Sequence, residues 1–215
     1  MVHSRRTFIG SSVVIGAWLA MPAMAALQRT RPMTLGPFYP VAHGGEVDMD
    51  MTQIAGRPGR AKGEIIEVAG RVLDPSGKPV PGARIDIWQA NAAGRYAHKG
   101  DISDKPLDPD FQGLAILKAD AEGRYRVRTV RPGVYPAGRL GFNRAAHIHF
   151  SVDGQHDRLV TQMYFADDKW LAQDKVLLAD LDGRGAPWPD AIFGQKSAGT
   201  NGAAAYGFDI VLAVG

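Results

Sequence analysis

His147-Ile148-His149-Phe150-Ser151-Val152 alternates polar and apolar side chains without a break. In an extended strand residues i and i+2 share a face. Ile148, Phe150 and Val152 therefore form one apolar side suited to a core. His147 and His149 stand together on the other side, about 7 Å apart at Cα by the strand rise. The same period of two recurs on both sides of this stretch, in Arg84-Ile85-Asp86-Ile87-Trp88 and in Arg124-Tyr125-Arg126-Val127-Arg128, where three arginines share one solvated face. A β-rich run over 64–73 ends at the turn Asp74-Pro75-Ser76-Gly77, and Asp120-Ala121-Glu122-Gly123 is a second turn. Runs over 146–152, 159–165 and 206–214 complete the strands. Helical spacing occurs only over 167–181. The stretch 182–202, rich in Gly, Pro and Ala, reads as loop, and 90–119 reads as a long ordered loop excursion of the kind that carries function. Short strands at frequent turns give an all-β chain, an antiparallel β-sandwich with long loops and little helix.

The chain has 215 residues, 45% hydrophobic, with 26 Gly, 14 Pro and no Cys. That length supports one domain with a substantial core. The absence of cysteine excludes a disulfide scaffold, a cysteine nucleophile, thiolate zinc sites and cysteine-ligated iron–sulfur clusters. The formal net charge is +3, and no lysine-rich run marks a nucleic-acid surface. Two of the positive charges belong to Ser4-Arg5-Arg6-Thr7-Phe8-Ile9, which precedes an apolar run over 13–21 and the small-x-small pattern Ala23-Met24-Ala25. The apolar run is too short to span a membrane, and the paired arginines resemble a twin-arginine export signal. The expected organisation is a signal over 1–25, an N-terminal extension over 26–62 packing near the substrate pocket, and a β-sandwich domain over 63–215. The mature protein is expected in the periplasm or outside the cell, free of the membrane. Such export carries folded proteins, often with a cofactor already inserted.

Two imidazoles on one strand face can converge on a metal ion, and such pairs serve copper, zinc and non-haem iron alike. A polar strand face with two solvated histidines is the other reading. Without cysteine, further ligands must be oxygen donors. Tyr96, in Gly94-Arg95-Tyr96, and Tyr135, in Pro132-Gly133-Val134-Tyr135-Pro136, lie in turn-rich settings where periodicity does not bury a ring. A phenol has a pKa of about 10. A tripositive metal lowers it strongly, and phenolate is a hard anion suited to Fe(III). Each tyrosine can equally be a packed loop aromatic with its hydroxyl satisfied. Trp88, next to Ile87, packs against the core or beside the site.

A longer series of motifs carries a family resemblance. Gly70-Arg71-Val72-Leu73-Asp74 leads to Trp88-Gln89-Ala90-Asn91, Gly94-Arg95-Tyr96, and Pro106-Leu107-Asp108-Pro109-Asp110-Phe111. Arg128-Thr129-Val130-Arg131-Pro132-Gly133 and Tyr135-Pro136 follow. Arg144, His147-Ile148-His149-Phe150, Thr161-Gln162-Met163-Tyr164-Phe165 and Phe208-Asp209-Ile210-Val211-Leu212 close the series. Together they resemble the intradiol ring-cleavage dioxygenases, from about residue 35 to 212, most closely the iron-carrying chains of the protocatechuate branch. The resemblance implies Fe(III) held by Tyr96 and His147 as the equatorial pair and Tyr135 and His149 as the axial pair, with a hydroxide completing the site. It implies a catechol-type substrate that binds as a chelating dianion and displaces Tyr135 and the hydroxide, which take its protons. With O2 the ring then opens between the two hydroxylated carbons to give a cis,cis-muconate-type diacid. Arg144 corresponds to the arginine that stabilises negative charge on the substrate, and Gln162 to a polar residue beside the site. Leu35-Gly36-Pro37-Phe38-Tyr39-Pro40 resembles a segment that approaches the substrate pocket, making Pro37 and Tyr39 candidates for ring contact; a rigid Pro-bracketed turn is the other reading.

The sequence departs from the family in places. Few residues separate the expected cleavage site from Leu35, so the long helical N-terminal region of the catechol-cleaving branch is expected to be missing. Ala137 stands where the protocatechuate branch has a tryptophan, so the ring pocket is altered there, and the segment after Phe165 is remade. The resemblance leaves a homo-oligomer or a second family chain as partner. Two rival readings are a non-catalytic transthyretin-like sandwich that binds a ligand, and a periplasmic copper or zinc protein using the His-x-His pair. The joint presence of Tyr96, Tyr135, His147 and His149 argues against both.

Overall fold

The computed structural model describes residues 26–40, 45–137, 141–183 and 185–214, so the signal expected over 1–25 lies outside the described residues. Among the described residues eleven strands form two main sheets and one small ribbon. The first sheet is built around β1 (Ile65–Leu73). Its antiparallel neighbour is β4 (Arg124–Val130), and on its other side run β10 (Ala204–Gly207) and β11 (Ile210–Val211), both parallel to it. β9 (Gln195–Ala198) pairs with β10 at the edge. The second sheet is antiparallel throughout, in the order β3 (Leu114–Lys118), β2 (Arg84–Trp88), β7 (His147–Asp153), β8 (Arg158–Tyr164). The ribbon pairs β5 (Tyr135–Pro136) with β6 (Asn143–Arg144). Regular helix among the described residues is one short segment, α1 (Lys175–Asp180).

The all-β sandwich read from the sequence is the fold observed. Three details differ. β3 lies inside the stretch read as one loop excursion, and β9 inside the stretch read as loop. The C-terminal strands dock parallel to β1, a pairing that alternation within a strand does not encode.

Period two dictates the core. Ile66, Val68, Val72 and Val127 of the first sheet meet Ile85, Ile87, Ile148, Phe150 and Met163 of the second in one buried cluster. Each such side chain contributes about 1.5–3 kcal/mol by leaving water. Sharp turns keep the strands in register. Asp74 accepts from the backbone N–H groups of Ser76 and Lys78, and Asp120 does the same for Glu122 and Arg124. These are side-chain mimics of a turn, and Gly123 supplies the positive φ of the second.

Two extended segments seal the sandwich. Residues 30–33 cross from β11, where Thr30 N–H donates to Val211, to β8, where Met33 N–H donates to Val160 at 2.9 Å. Residues 47–51 bridge the edges of β3 and β4, with Val47 accepting from Ile116 N–H and Met49 from Arg128 N–H.

Gly70 marks the tightest strand approach in the parallel docking: a Cβ there would lie 2.0 Å from the Phe208 carbonyl oxygen. Gly70→Ala should therefore destabilise the fold by about 1–3 kcal/mol. The check is a lower denaturant midpoint at unchanged m-value. Gly45→Ala, which meets nothing within 4 Å among the described residues, should leave the midpoint in place.

Candidate metal centre

Strand register builds the centre on the outer face of the second sheet. Trp88 pairs with His149, and His149 with Gln162, so the three stand in one row. His147 and Tyr164 form the next row. Neither histidine is solvated: both are buried, because residues 33–39 and the loops after β2 and β4 cover this face. Trp88 stacks on His149 with ring centroids 4.7 Å apart and planes 7° from parallel.

Tyr96 and Tyr135 arrive on two loops locked together through glycines. Gly133 N–H donates to the Asn91 carbonyl at 2.9 Å. A Cβ on Gly94, whose φ is +83°, would lie 2.1 Å from the Val134 carbonyl oxygen, and one on Gly133 would lie 2.4 Å from that of Ala92. Only residues without a side chain permit that approach. Asn91 Oδ1 accepts from Ala93 N–H and Arg95 N–H, and Asp101 accepts from Tyr96 N–H at 2.8 Å. On the other loop, the β5–β6 register sets Tyr135 opposite Arg144.

The four rings close around one centre. Tyr96–Tyr135, Tyr135–His147, His147–His149 and Tyr96–His149 have centroids 5.1, 5.5, 4.7 and 6.3 Å apart. The two Nε2 atoms of the histidines face each other at 3.1 Å. His147 Nδ1 lies 2.6 Å from the Ala145 carbonyl. A carbonyl only accepts, so the proton is on Nδ1 and the Nε2 lone pair points inward. Burial, reinforced by Arg144, holds both imidazoles well below their ordinary pKa. Burial pushes the Tyr96 phenol well above its ordinary value, and Tyr135 raises it further. Tyr135 is raised too, by burial, with Arg144 opposing. The Tyr96 hydroxyl and His149 Nδ1 are buried without a hydrogen-bond partner. Each such orphan costs about 1–3 kcal/mol. Among the described residues no three His, Asp or Glu side chains gather as a metal site, so a site here draws on phenols. Two neutral nitrogen donors and two phenols fit a highly charged, oxygen-seeking cation, which would convert the phenols to phenolates.

Arg144 organises one flank. Its Nε donates to both oxygens of Asp174 at 2.8 and 2.9 Å, Nη1 to the Tyr135 hydroxyl at 3.2 Å, and Nη2 to Gln162 Oε1 and the Tyr164 hydroxyl at 2.8 Å each. Burial opposes its charge, but Tyr164, Tyr135 and Asp174 raise its pKa on balance. Gln162 in turn donates to the Thr34 carbonyl at 2.6 Å.

Of the candidates for ring contact, Pro37 is exposed, and Tyr39 donates to Asp86 at 2.7 Å while its ring meets Trp88 edge-on. Phe38, between them, stands 4.7 Å from Tyr96 and 5.9 Å from Tyr135 by centroid. Ala137 is half-buried, its N–H donating to Phe142. Phe38, Tyr164 and Asp174 escaped the sequence reading as parts of the centre. Alternation from Gln162 places Tyr164 on the histidine face and could have found it. Asp174 carries only a helix-cap signal.

A family model described as Dioxygenase matches residues 35–214. The chain belongs to this dioxygenase family. Its curated relatives include the protocatechuate 3,4-dioxygenase beta chain of Burkholderia cepacia, 46% identical over 182 residues, 82% of this chain and 76% of that one. The hydroxyquinol 1,2-dioxygenase of Rhizobium sp. is 36% identical over 167 residues, and the match spans 68% of this chain but only 53% of that protein. Among solved structures, catechol 1,2-dioxygenase from Acinetobacter sp. ADP1 superposes with a TM-score of 0.64 at 25% identity, covering 86% of this chain and 63% of that one. The dioxygenase domain of a carbohydrate-binding fusion from Streptomyces sp. SirexAA-E shares the fold, with a TM-score of 0.65 at 22% identity over 87% of this chain and 100% of that one. The resemblance read from the motifs is thus a family membership, and the chain is a ring-cleaving dioxygenase of the intradiol type.

Two outcomes follow from the geometry. Gly94→Ala should force the tyrosine loops apart, lowering bound metal per chain by elemental analysis while far-UV circular dichroism stays unchanged. In metal-free protein the buried imidazoles refuse protons that the unfolded chain accepts below about pH 6.5. The unfolded state then binds more protons, so stability rises with pH and falls on acidification. The melting temperature should drop between pH 7 and pH 5, and the His147→Gln/His149→Gln double variant should flatten that slope.

Proposed function

We propose that this chain is a non-haem Fe(III) intradiol dioxygenase that opens a catechol-type ring between its two hydroxylated carbons with O2, giving a cis,cis-muconate-type diacid. The observation that carries this reading is the closed, buried ring of Tyr96, Tyr135, His147 and His149, in which the two histidine Nε2 atoms face each other and the Tyr96 hydroxyl has no hydrogen-bond partner. Ferric iron, when bound by these four, supplies the Lewis acidity that stabilises a catechol as its dianion.

The chain's own residues supply the rest. His147 and His149 sit on a central strand and hold their positions rigidly. Tyr135, carried on the two-residue ribbon, would be the donor to give way to substrate, and its phenolate oxygen would accept a catechol proton. Arg144 Nη1, facing that oxygen, offers an N–H to negative charge developing there. Gln162 ties Arg144 to the segment over 33–39 through the Thr34 carbonyl. Gly36 lies flat against His149, where a Cβ would sit 3.2 Å from Cε1. With Phe38 it keeps water from the phenols. The relatives' names, covering protocatechuate, hydroxyquinol and catechol, support a catechol-type substrate without choosing its substituents. A relative that is the beta chain of its enzyme supports assembly with a second chain or further copies. The paired arginines near the N-terminus support export.

Iron-loaded protein should show a broad visible band from tyrosinate-to-iron charge transfer. Tyr135→Phe or His149→Ala should weaken or abolish it. Oxygen uptake screened over catechol, protocatechuate and hydroxyquinol should find at least one substrate that yields a ring-opened diacid. Colourless protein that retains zinc and consumes no oxygen with any of them would refute the reading.

A further inference from the structure

Arg144 has four acceptor groups, and they are not equivalent. Nε is committed to Asp174 and Nη2 to Gln162 and Tyr164, whereas Nη1 is given to the Tyr135 hydroxyl. If the Tyr135 oxygen moves away, the other contacts remain.

Asp174 dominates that restraint. It is fully buried, and its two oxygens together bind Arg144 Nε, Ala145 N–H at 3.0 Å, and the N–H groups of Val176 and Leu177 at 3.1 and 3.0 Å. An ordinary helix cap needs one oxygen and no charge, and Asn or Ser serves as well. Here Oδ1 performs the cap, while Oδ2 accepts from Ala145 N–H, between Arg144 and the strand that begins at His147. A buried carboxylate is costly unless paired, and the only cation it pairs with among the described residues is the one beside Tyr135.

We propose that Asp174 is a positioning residue: it anchors Arg144 independently of Tyr135, so that the guanidinium stays fixed and presents Nη1 when the tyrosine oxygen leaves. This rests on the iron-dioxygenase reading above. The arginine is then a stationary charge and does not follow its tyrosine partner. The short α1 segment exists, in this view, to deliver the carboxylate.

The test uses iron-loaded wild type, Asp174→Asn and Arg144→Lys, singly and combined. Asn keeps the cap but removes the charge and turns an N–H group toward Arg144. Asp174→Asn should bind iron in the wild-type ratio and lose kcat by about 10–100-fold with little change in KM. Its charge-transfer band should shift, because Nη1 no longer sits at the Tyr135 oxygen. A crystal structure of the metal-free variant should show the guanidinium displaced. In the double variant the two losses should be far from additive. Unchanged kcat and band in Asp174→Asn, or activity lost only in proportion to iron lost, would overturn the proposal while leaving the iron reading intact. Wild-type protein lacking both band and ring cleavage would overturn the iron reading and this inference with it. Should Asp174→Asn not fold, Asp174→Ser keeps the cap without the charge and is read in the same way.

Discussion

Two imidazoles with Nε2 atoms 3.1 Å apart, and two phenols buried beside them, cannot all satisfy one another. His147 donates its Nδ1–H to the Ala145 carbonyl, which leaves the Nε2 lone pair aimed at the shared centre. Burial keeps both imidazoles neutral and both phenols protonated in the metal-free chain. Such a cluster weakens the fold on its own account. Tyr96, Tyr135, His147 and His149 would hold a cation of high charge through two imidazole nitrogens and two phenolates, and its charge would offset the cost of burying them. The sandwich, the glycine-locked loops and the crossing segment over 30–39 are what allow the chain to keep such a cluster dry.

Charge balance is set around Arg144. A single guanidinium faces two neutral histidines, three tyrosines and one carboxylate, all buried. Its positive charge disfavours protonated imidazoles and favours a Tyr135 phenolate, so the arginine biases the donors towards the forms a metal needs. Without Asp174 that charge would be buried with only neutral partners in the metal-free protein, and such uncompensated burial is strongly destabilising.

Local periodicity made much of this legible. β2 over Arg84–Trp88 follows directly from strict alternation. The His147/His149 face was visible because strand geometry fixes i and i+2 on one side. The tyrosines were not legible from physics alone. Their burial depends on Gly94 and Gly133 allowing two remote loops to touch, a contact that no window of sequence contains; the motif series supplied it. β3 and β9 were hidden for a related reason: Leu114–Lys118 and Gln195–Ala198 become strands by pairing with β2 and β10, and neither carries a strong alternation of its own. Phe38 was passed over for Tyr39, because nothing local reveals that the Tyr39 hydroxyl is claimed by Asp86, turning that ring onto Trp88.

The two tyrosines differ in how firmly the fold holds them, and that difference bears on mechanism. Tyr96 is fixed at both ends of its turn: Asp101 takes its N–H, Asn91 closes the loop before it, and Phe38 covers its ring. Tyr135 rides on a strand of two residues paired with another of two, and its hydroxyl accepts from Arg144 at 3.2 Å. The turn under Tyr96 carries side-chain-to-backbone hydrogen bonds from Asn91 and Asp101, whereas the ribbon under Tyr135 is held by two paired residues on each side. A donor set that must yield one place to an incoming ligand has to be asymmetric in this way. Equal rigidity would shut the centre, and equal freedom would scatter it. The sheet holds the histidines, the glycine contact ties the two tyrosine loops together, and under the proposed function Tyr135, on the two-residue ribbon, would be the group that gives way.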